Sequence, residues 1–186
     1  EEGTSLFNMR EHQKIKEIDE ETSLSMYNIL INELTNADYE QYEISNFARP
    51  GFRSLHNSSY WHEIPYIGLG ASAHSYLNGI RKWNISNLKK YMDEIACNTL
   101  PQEIEILSKD TQYNDLITTA LRTKEGIDLN KMKNKYGEER YNYLMKEAQP
   151  HINAGKMKLS KHRLFITRMG LFTSDDIMSD LIYIAD

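Results

Sequence analysis

The sequence predicts a mixed α/β chain in two parts: residues 1–104, where helices alternate with short strand-like segments, and residues 105–186, a mainly helical winged-helix-like domain. Three observations lead there. Composition shifts near Leu100-Pro101. Beyond that point Tyr113, Leu116, Ile117, Ala120 and Leu121 form an apolar stripe at helical spacing. The chain then closes with the succession of helices, hairpin and helix that builds a winged helix.

In the first part, Ile18 to Leu34 is expected to be a helix. Asp19, Glu20 and Glu21 put negative charge at its positive end, and Leu24, Tyr27, Leu30, Ile31 and Leu34 share a face. Tyr39 to Ser45 is strand-like, with aromatic and β-branched residues, and Ala48-Arg49-Pro50-Gly51 breaks it. Residues 51–65 read as irregular. Tyr66-Ile67-Gly68 reads as a second strand entering a turn of small residues, Gly68 to Ala73. Asn78-Gly79 is a turn dipeptide, and Ile85 to Cys97 forms a helix.

In the second part the stripe around Tyr113 marks the first helix. Leu129 to Tyr136 forms another, stopped by Gly137, and Glu138 to Ile152 a third, strained or ended by Pro150. Lys156 to Leu159 and Leu164 to Thr167 pair as a hairpin around Ser160 to Arg163, and Gly170 to Ile184 is the last helix.

A formal charge of -5 gives the whole chain no electrostatic reason to bind nucleic acid or anionic lipid. The single cysteine, Cys97, excludes a disulfide within the chain and any multi-cysteine zinc or iron–sulfur site built from it alone. It reads as a small core residue on a helix, and it points to a reducing, cytoplasmic compartment. No apolar run approaches the roughly 20 residues of a membrane span. The start, Glu1-Glu2-Gly3-Thr4-Ser5, has neither the basic region nor the apolar core of a signal peptide and carries no Met, so upstream sequence is expected.

Two clusters carry candidate chemistry. His56-Asn57-Ser58-Ser59-Tyr60-Trp61 combines an imidazole that can ligate a metal, an amide with donors and an acceptor, and two rings that can stack on a flat ligand. The competing reading is a loop anchored by its aromatics, with a histidine that is merely hydrogen-bonded. Gly68-Leu69-Gly70-Ala71-Ser72-Ala73-His74 lets backbone approach a ligand and offers N–H groups to an anion. It lacks the third glycine of a dinucleotide fingerprint, and a tight turn is the competing reading. Glu43 and Glu40 are the nearest acids. Lys156 to Arg168 holds Lys156, Lys158, Lys161, Arg163 and Arg168 and no acid, a phosphate-contacting wing or a solvated hairpin.

Taken in order, these segments resemble one family. Glu2-Gly3-Thr4, Tyr42-Glu43-Ile44-Ser45-Asn46-Phe47-Ala48-Arg49-Pro50-Gly51, His56 to Trp61 and Tyr66 to Tyr76 look like the C-terminal half of the radical-SAM oxygen-independent coproporphyrinogen III oxidases and their HemW-like haem-chaperone relatives. Leu121-Arg122-Thr123-Lys124-Glu125-Gly126-Ile127 is similar to that family's LRxxEG segment. The resemblance implies that residues 1–104 are the C-terminal part of an open, partial β/α barrel with its covering loops. It implies a parent with a [4Fe–4S] cluster, S-adenosylmethionine and haem, whose cluster loop, C-x-x-x-C-x-x-C, lies upstream of this sequence. A chain without that loop is expected to be inactive alone.

By the same resemblance, His56, Asn57, Tyr60 and Trp61 are haem-binding, and Glu43, Gly68, Gly70 and His74 lie on the S-adenosylmethionine side. The expected function is haem binding and delivery, with haem or another tetrapyrrole, the upstream half of the parent and haem-accepting proteins as partners. The alternative is oxidative decarboxylation of coproporphyrinogen III. A third reading, a stand-alone interaction or nucleic-acid module, ranks last, because Glu138, Glu139 and Glu147 sit on the supposed recognition helix.

Overall fold

A computed structural model describes residues 2–185; Glu1 and Asp186 lie outside the described residues. It is mixed α/β, as expected, and its three small sheets are antiparallel. A short helix, α1 (Ser5–Glu11), precedes α2 (Glu20–Asn36). Asp19, expected inside the first turn, instead caps α2 by accepting the Thr22 N–H at 2.8 Å. Only Ile31 of the expected apolar stripe is buried; Met26, Ile29 and Leu30 lie exposed. The helix is held instead through Tyr27, whose hydroxyl donates to the Ile44 carbonyl at 2.8 Å.

The strand expected over Tyr39 to Ser45 is two strands, β1 (Glu40–Glu43) and β2 (Asn46–Ala48), joined by a tight turn. The Ser45 N–H donates to the Glu43 carboxylate at 2.9 Å, which folds the chain back. Residues expected to be irregular contain a helix, α3 (Leu55–Trp61), started by Ser54, whose hydroxyl accepts the Asn57 N–H at 3.2 Å. The expected strand at Tyr66 reduces to one bridge with Tyr76.

β3 (His74–Leu77) and β4 (Ile80–Asn84) pair across Asn78-Gly79, both at positive φ (47° and 82°), the backbone of a two-residue hairpin turn. α4 (Leu88–Ala96) follows. Cys97 at its end is exposed, not the core residue expected. β5 (Gln102–Ile106) joins β4 where the sequence reading named no strand.

The main core lies in the second part. α5 (Lys109–Ala120), β6 (Ile127–Asp128) and α6 (Leu129–Asn153) pack on β7 (Met157–Ser160) and β8 (Arg163–Ile166), in sheet order β6-β8-β7. Tyr113, Ile117, Leu144, Leu164, Ile177 and Leu181 are fully buried there. The arrangement is winged-helix-like. Gly137, at φ 87°, interrupts α6 where the sequence placed a stop. Pro150 does not end it; the helix runs on to Asn153, closed by the Ala154 N–H on the Pro150 carbonyl at 2.9 Å. The expected last helix is divided into a 3-10 segment, Arg168–Thr173, and α7 (Ser174–Asp180). Gly170, within the 3-10 segment, lies close against backbone: a Cβ there would lie 2.4 Å from the Lys156 carbonyl oxygen.

Arg53 clamps the two parts. Its guanidinium makes two bonds to the Glu40 carboxylate, at 2.8 and 3.0 Å, and a third to Glu125 at 2.7 Å. Bonding to Arg53 holds the Glu40 carboxyl down at about 2, against an ordinary 4.5. Because the folded value is depressed, the stabilisation is complete above the ordinary value and is lost as pH falls towards the folded one. Glu40→Gln should therefore lower stability by about 1 kcal/mol near neutral pH, a figure kept small by solvent screening. Thermal melts of both proteins check this. The gap in Tm should hold constant above about pH 5.5 and narrow below about pH 4.5; a gap independent of pH would remove this account.

Candidate functional site: the exposed face of the third helix

α3 separates the aromatic motif into two faces. His56 and Tyr60 stand one turn apart on one side. Trp61, five residues after His56, is rotated from it by about 140°. The sequence reading grouped all three around one ligand; the helix puts only His56 and Tyr60 together.

The Tyr60 hydroxyl lies 3.1 Å from His56 Nε2, and the rings meet edge to face at 5.0 Å. Tyr66 continues the row, 4.6 Å from Tyr60, and Tyr76 follows at 6.5 Å. Burial pushes the Tyr66 phenol above its ordinary pKa, so it remains a neutral wall. His56 is exposed at the end of this row. Such a face offers an imidazole to a metal and a sequence of rings to a flat apolar body. Asn57 is half-buried, with its backbone N–H engaged by the Ser54 cap.

Trp61 points towards the second part. Its ring lies beneath the Arg122 guanidinium, 5.2 Å from ring centre to carbon. Its indole N–H is buried without a hydrogen-bond partner among the described residues. A cleft of about 260 Å³ opens beside it, lined by Glu63, Leu116, Met132, Lys135 and Tyr136. Lys135 closes one end on Glu63 at 2.9 Å.

Glu43 is 2% exposed. Its carboxylate accepts from Arg122 Nε at 2.8 Å, from the Ser45 N–H and from Asn46 Nδ2. All its nearby donors belong to the protein, so in this conformation it acts as a clamp. Arg122 thus touches both Glu43 and Trp61. The sequence reading saw Arg122 only inside the LRxxEG-like segment and gave it no role; its partners lie far away along the chain.

The small-residue loop is also tied internally. The Gly68 N–H donates to Ser75 Oγ at 3.0 Å and the Gly70 N–H to Tyr91 Oη at 3.3 Å, so these N–H groups are not free for an anion. Gly68 is needed sterically: a Cβ would lie 2.1 Å from the His74 carbonyl oxygen. His74 is exposed and stacks on Trp83, 6.1 Å between centres. The loop borders a cavity of about 660 Å³ whose walls include Tyr66, Tyr76, Lys82 and Tyr91. Ile67 and Leu69, 83% and 87% exposed, stand at its edge.

Among the described residues no cluster of histidine, cysteine and acidic groups could hold a metal ion. The single cysteine does not fit a [4Fe–4S] cluster, which takes several thiolates. No described helix is long and apolar enough to cross a membrane.

Residues 107–173 match the HemN C-terminal domain. Over 185 residues the chain is 29% identical to "Heme chaperone HemW" of Lactococcus lactis, covering 98% of this chain and 48% of that protein. Over 175 residues it is 27% identical to "Heme chaperone HemW" of Bacillus subtilis, covering 94% and 46%. The structure reported as "Coproporphyrinogen III oxidase (HemN) from Escherichia coli is a Radical SAM enzyme" shares the fold. Its TM-score is 0.66 over 91% of this chain and 44% of that one, at 17% identity. The chain spans about half the length of the curated relatives it matches.

Proposed function

From a chain similar to HemW proteins along nearly its whole length, we propose the C-terminal part of a haem chaperone, one that binds haem on α3 and releases it to haem proteins. The pairing of His56 with Tyr60 on an exposed helix face carries this reading. A carrier needs a reversible axial ligand and a flat wall. His56 supplies the first, and one ring of the Tyr60–Tyr66 pair, which meet edge to face at 78°, supplies the second.

In this reading Asn57 stands at the edge of the face. Trp61 acts from behind, fixing the helix through Arg122. Glu43, Gly68, Gly70 and His74 belong to the S-adenosylmethionine side of the parent by resemblance, and they shape that side through the internal bonds described above. S-adenosylmethionine and an iron–sulfur cluster would bring redox chemistry to the parent. None of it is derived from the residues of this chain, whose one cysteine cannot hold the cluster. The division into residues 1–104 and 105–186, a cytoplasmic location and haem-accepting partner proteins are parts of the same proposal.

A titration with ferric haem tests it. The expected result is a saturable change in the Soret band at one haem per chain, followed by transfer to an apo haem protein on mixing. Turnover of coproporphyrinogen III by the reconstituted full-length parent, with no saturable Soret change, would replace this reading with the decarboxylase.

A further inference from the structure

A second cleft, of about 410 Å³, lies between the β1–β2 turn and the β7–β8 hairpin. Ile44, Leu121, Phe165 and Leu171 give it apolar walls, and Arg122, Lys158 and Arg168 bring positive charge. One carboxylate lines it, that of Glu43, and this is buried and already bonded to Arg122. Arg168 donates only to neutral oxygens of Asn28 and Asn32. Lys158 has no ion pair among the described residues. The fourth cation, Lys124, is occupied by Glu40 at 3.4 Å.

On a chain of net charge -5, two cations without carboxylate partners beside an apolar hollow form a local exception. Solvated cations at a plain hairpin and the turn after it account for the charge but not for the hollow. We propose that this cleft binds an organic anion with an apolar body and a terminal carboxylate. The body would occupy the space between Ile44, Leu121, Phe165 and Leu171, where burial removes apolar surface from water. The carboxylate would meet Lys158 and Arg168, and an arginine can bind it through two parallel N–H groups. A bare inorganic anion gains nothing from the walls, and an uncharged apolar molecule leaves the cations unanswered. The space accommodates a chain on the order of ten carbons at protein packing density. His56, Asn57, Tyr60 and Trp61 do not line this cleft, so the inference stands apart from the haem reading.

Amide NMR titrations of the protein with sodium octanoate, 1-octanol, sodium acetate and inorganic phosphate test it. Octanoate should give saturable shifts centred on residues 121–124 and 165–168. Octanol, acetate and phosphate should each bind at least tenfold more weakly. Lys158→Glu and Arg168→Glu, both at exposed positions, should each weaken octanoate at least fivefold, and Lys158→Gln should fall between. Octanol binding as tightly as octanoate, shifts centred elsewhere, or charge-reversed variants with unchanged affinity would each overturn the proposal. Loss of haem binding with the octanoate result intact would remove only the α3 reading.

Discussion

Arg122→Ala should lower the unfolding free energy by about 3 kcal/mol, the low end of the range for breaking a buried ion pair by removing one partner. The geometry sets the sign and the size. The Glu43 side chain is 1% exposed and that of Arg122 30% exposed. Without the guanidinium, the carboxylate stays buried with only the Ser45 N–H and Asn46 Nδ2 as donors. Those two bonds keep the cost at the low end. The same substitution uncovers one face of the Trp61 ring. Urea unfolding of Arg122→Ala, Glu43→Gln and Arg122→Ala/Glu43→Gln closes a double-mutant cycle. The double variant should cost less than the sum of the single ones by at least 1 kcal/mol, because neither change then strands a charge. A loss below about 0.5 kcal/mol for Arg122→Ala, or additive effects in the cycle, would show that the pair does not hold the two parts together.

Local signals in the sequence were sufficient where local forces decide. The turn at Asn78-Gly79, the break at Gly137 and the hairpin around Lys161 all follow from residue types with fixed backbone preferences. α3 was missed because its residues, Leu55 to Trp61, carry no apolar stripe; its one legible signal was Ser54 as a cap. β5 was missed for the opposite reason. Gln102-Glu103-Ile104-Glu105-Ile106 alternates with the period of a strand, but the strong helical pattern just beyond it dominated the reading. The last helix begins as a 3-10 segment in which Gly170 lies against the Lys156 backbone, a contact that no spacing along the chain reveals.

The candidate site shows the same limit. Its residues were legible as a contiguous motif, but contiguity is not proximity on a helix, and Trp61 stands on a different face from His56, against Arg122. Glu43 was read as an acid close to the cluster. Its role depends on Arg122, which is 79 residues away in sequence and 2.8 Å away in space.

His56→Ala should weaken haem at least tenfold and shift the Soret band, with the far-UV circular dichroism unchanged, because the side chain is exposed and lies on a single short helix. Tyr60→Phe should act in the opposite direction. The hydroxyl lies 3.1 Å from Nε2, the imidazole nitrogen farther from the backbone and the less crowded one for a bulky macrocycle. Binding through Nε2 must displace that hydroxyl, so in the free protein it competes with iron. A hydrogen bond between neutral groups contributes about 0.5–1.5 kcal/mol, and removing the competitor should tighten haem roughly two- to tenfold. The phenyl ring keeps the edge contacts with His56 and Tyr66. Release to an acceptor protein should slow in the same proportion, since the hydroxyl is then unavailable to recapture the imidazole. Titration and stopped-flow transfer of haem from the two variants and the parent measure both effects. Equal affinity in all three proteins would take haem off this face. Weakening by Tyr60→Phe would mean that the hydroxyl supports ligation, and the competition mechanism would be wrong although His56 remained the ligand.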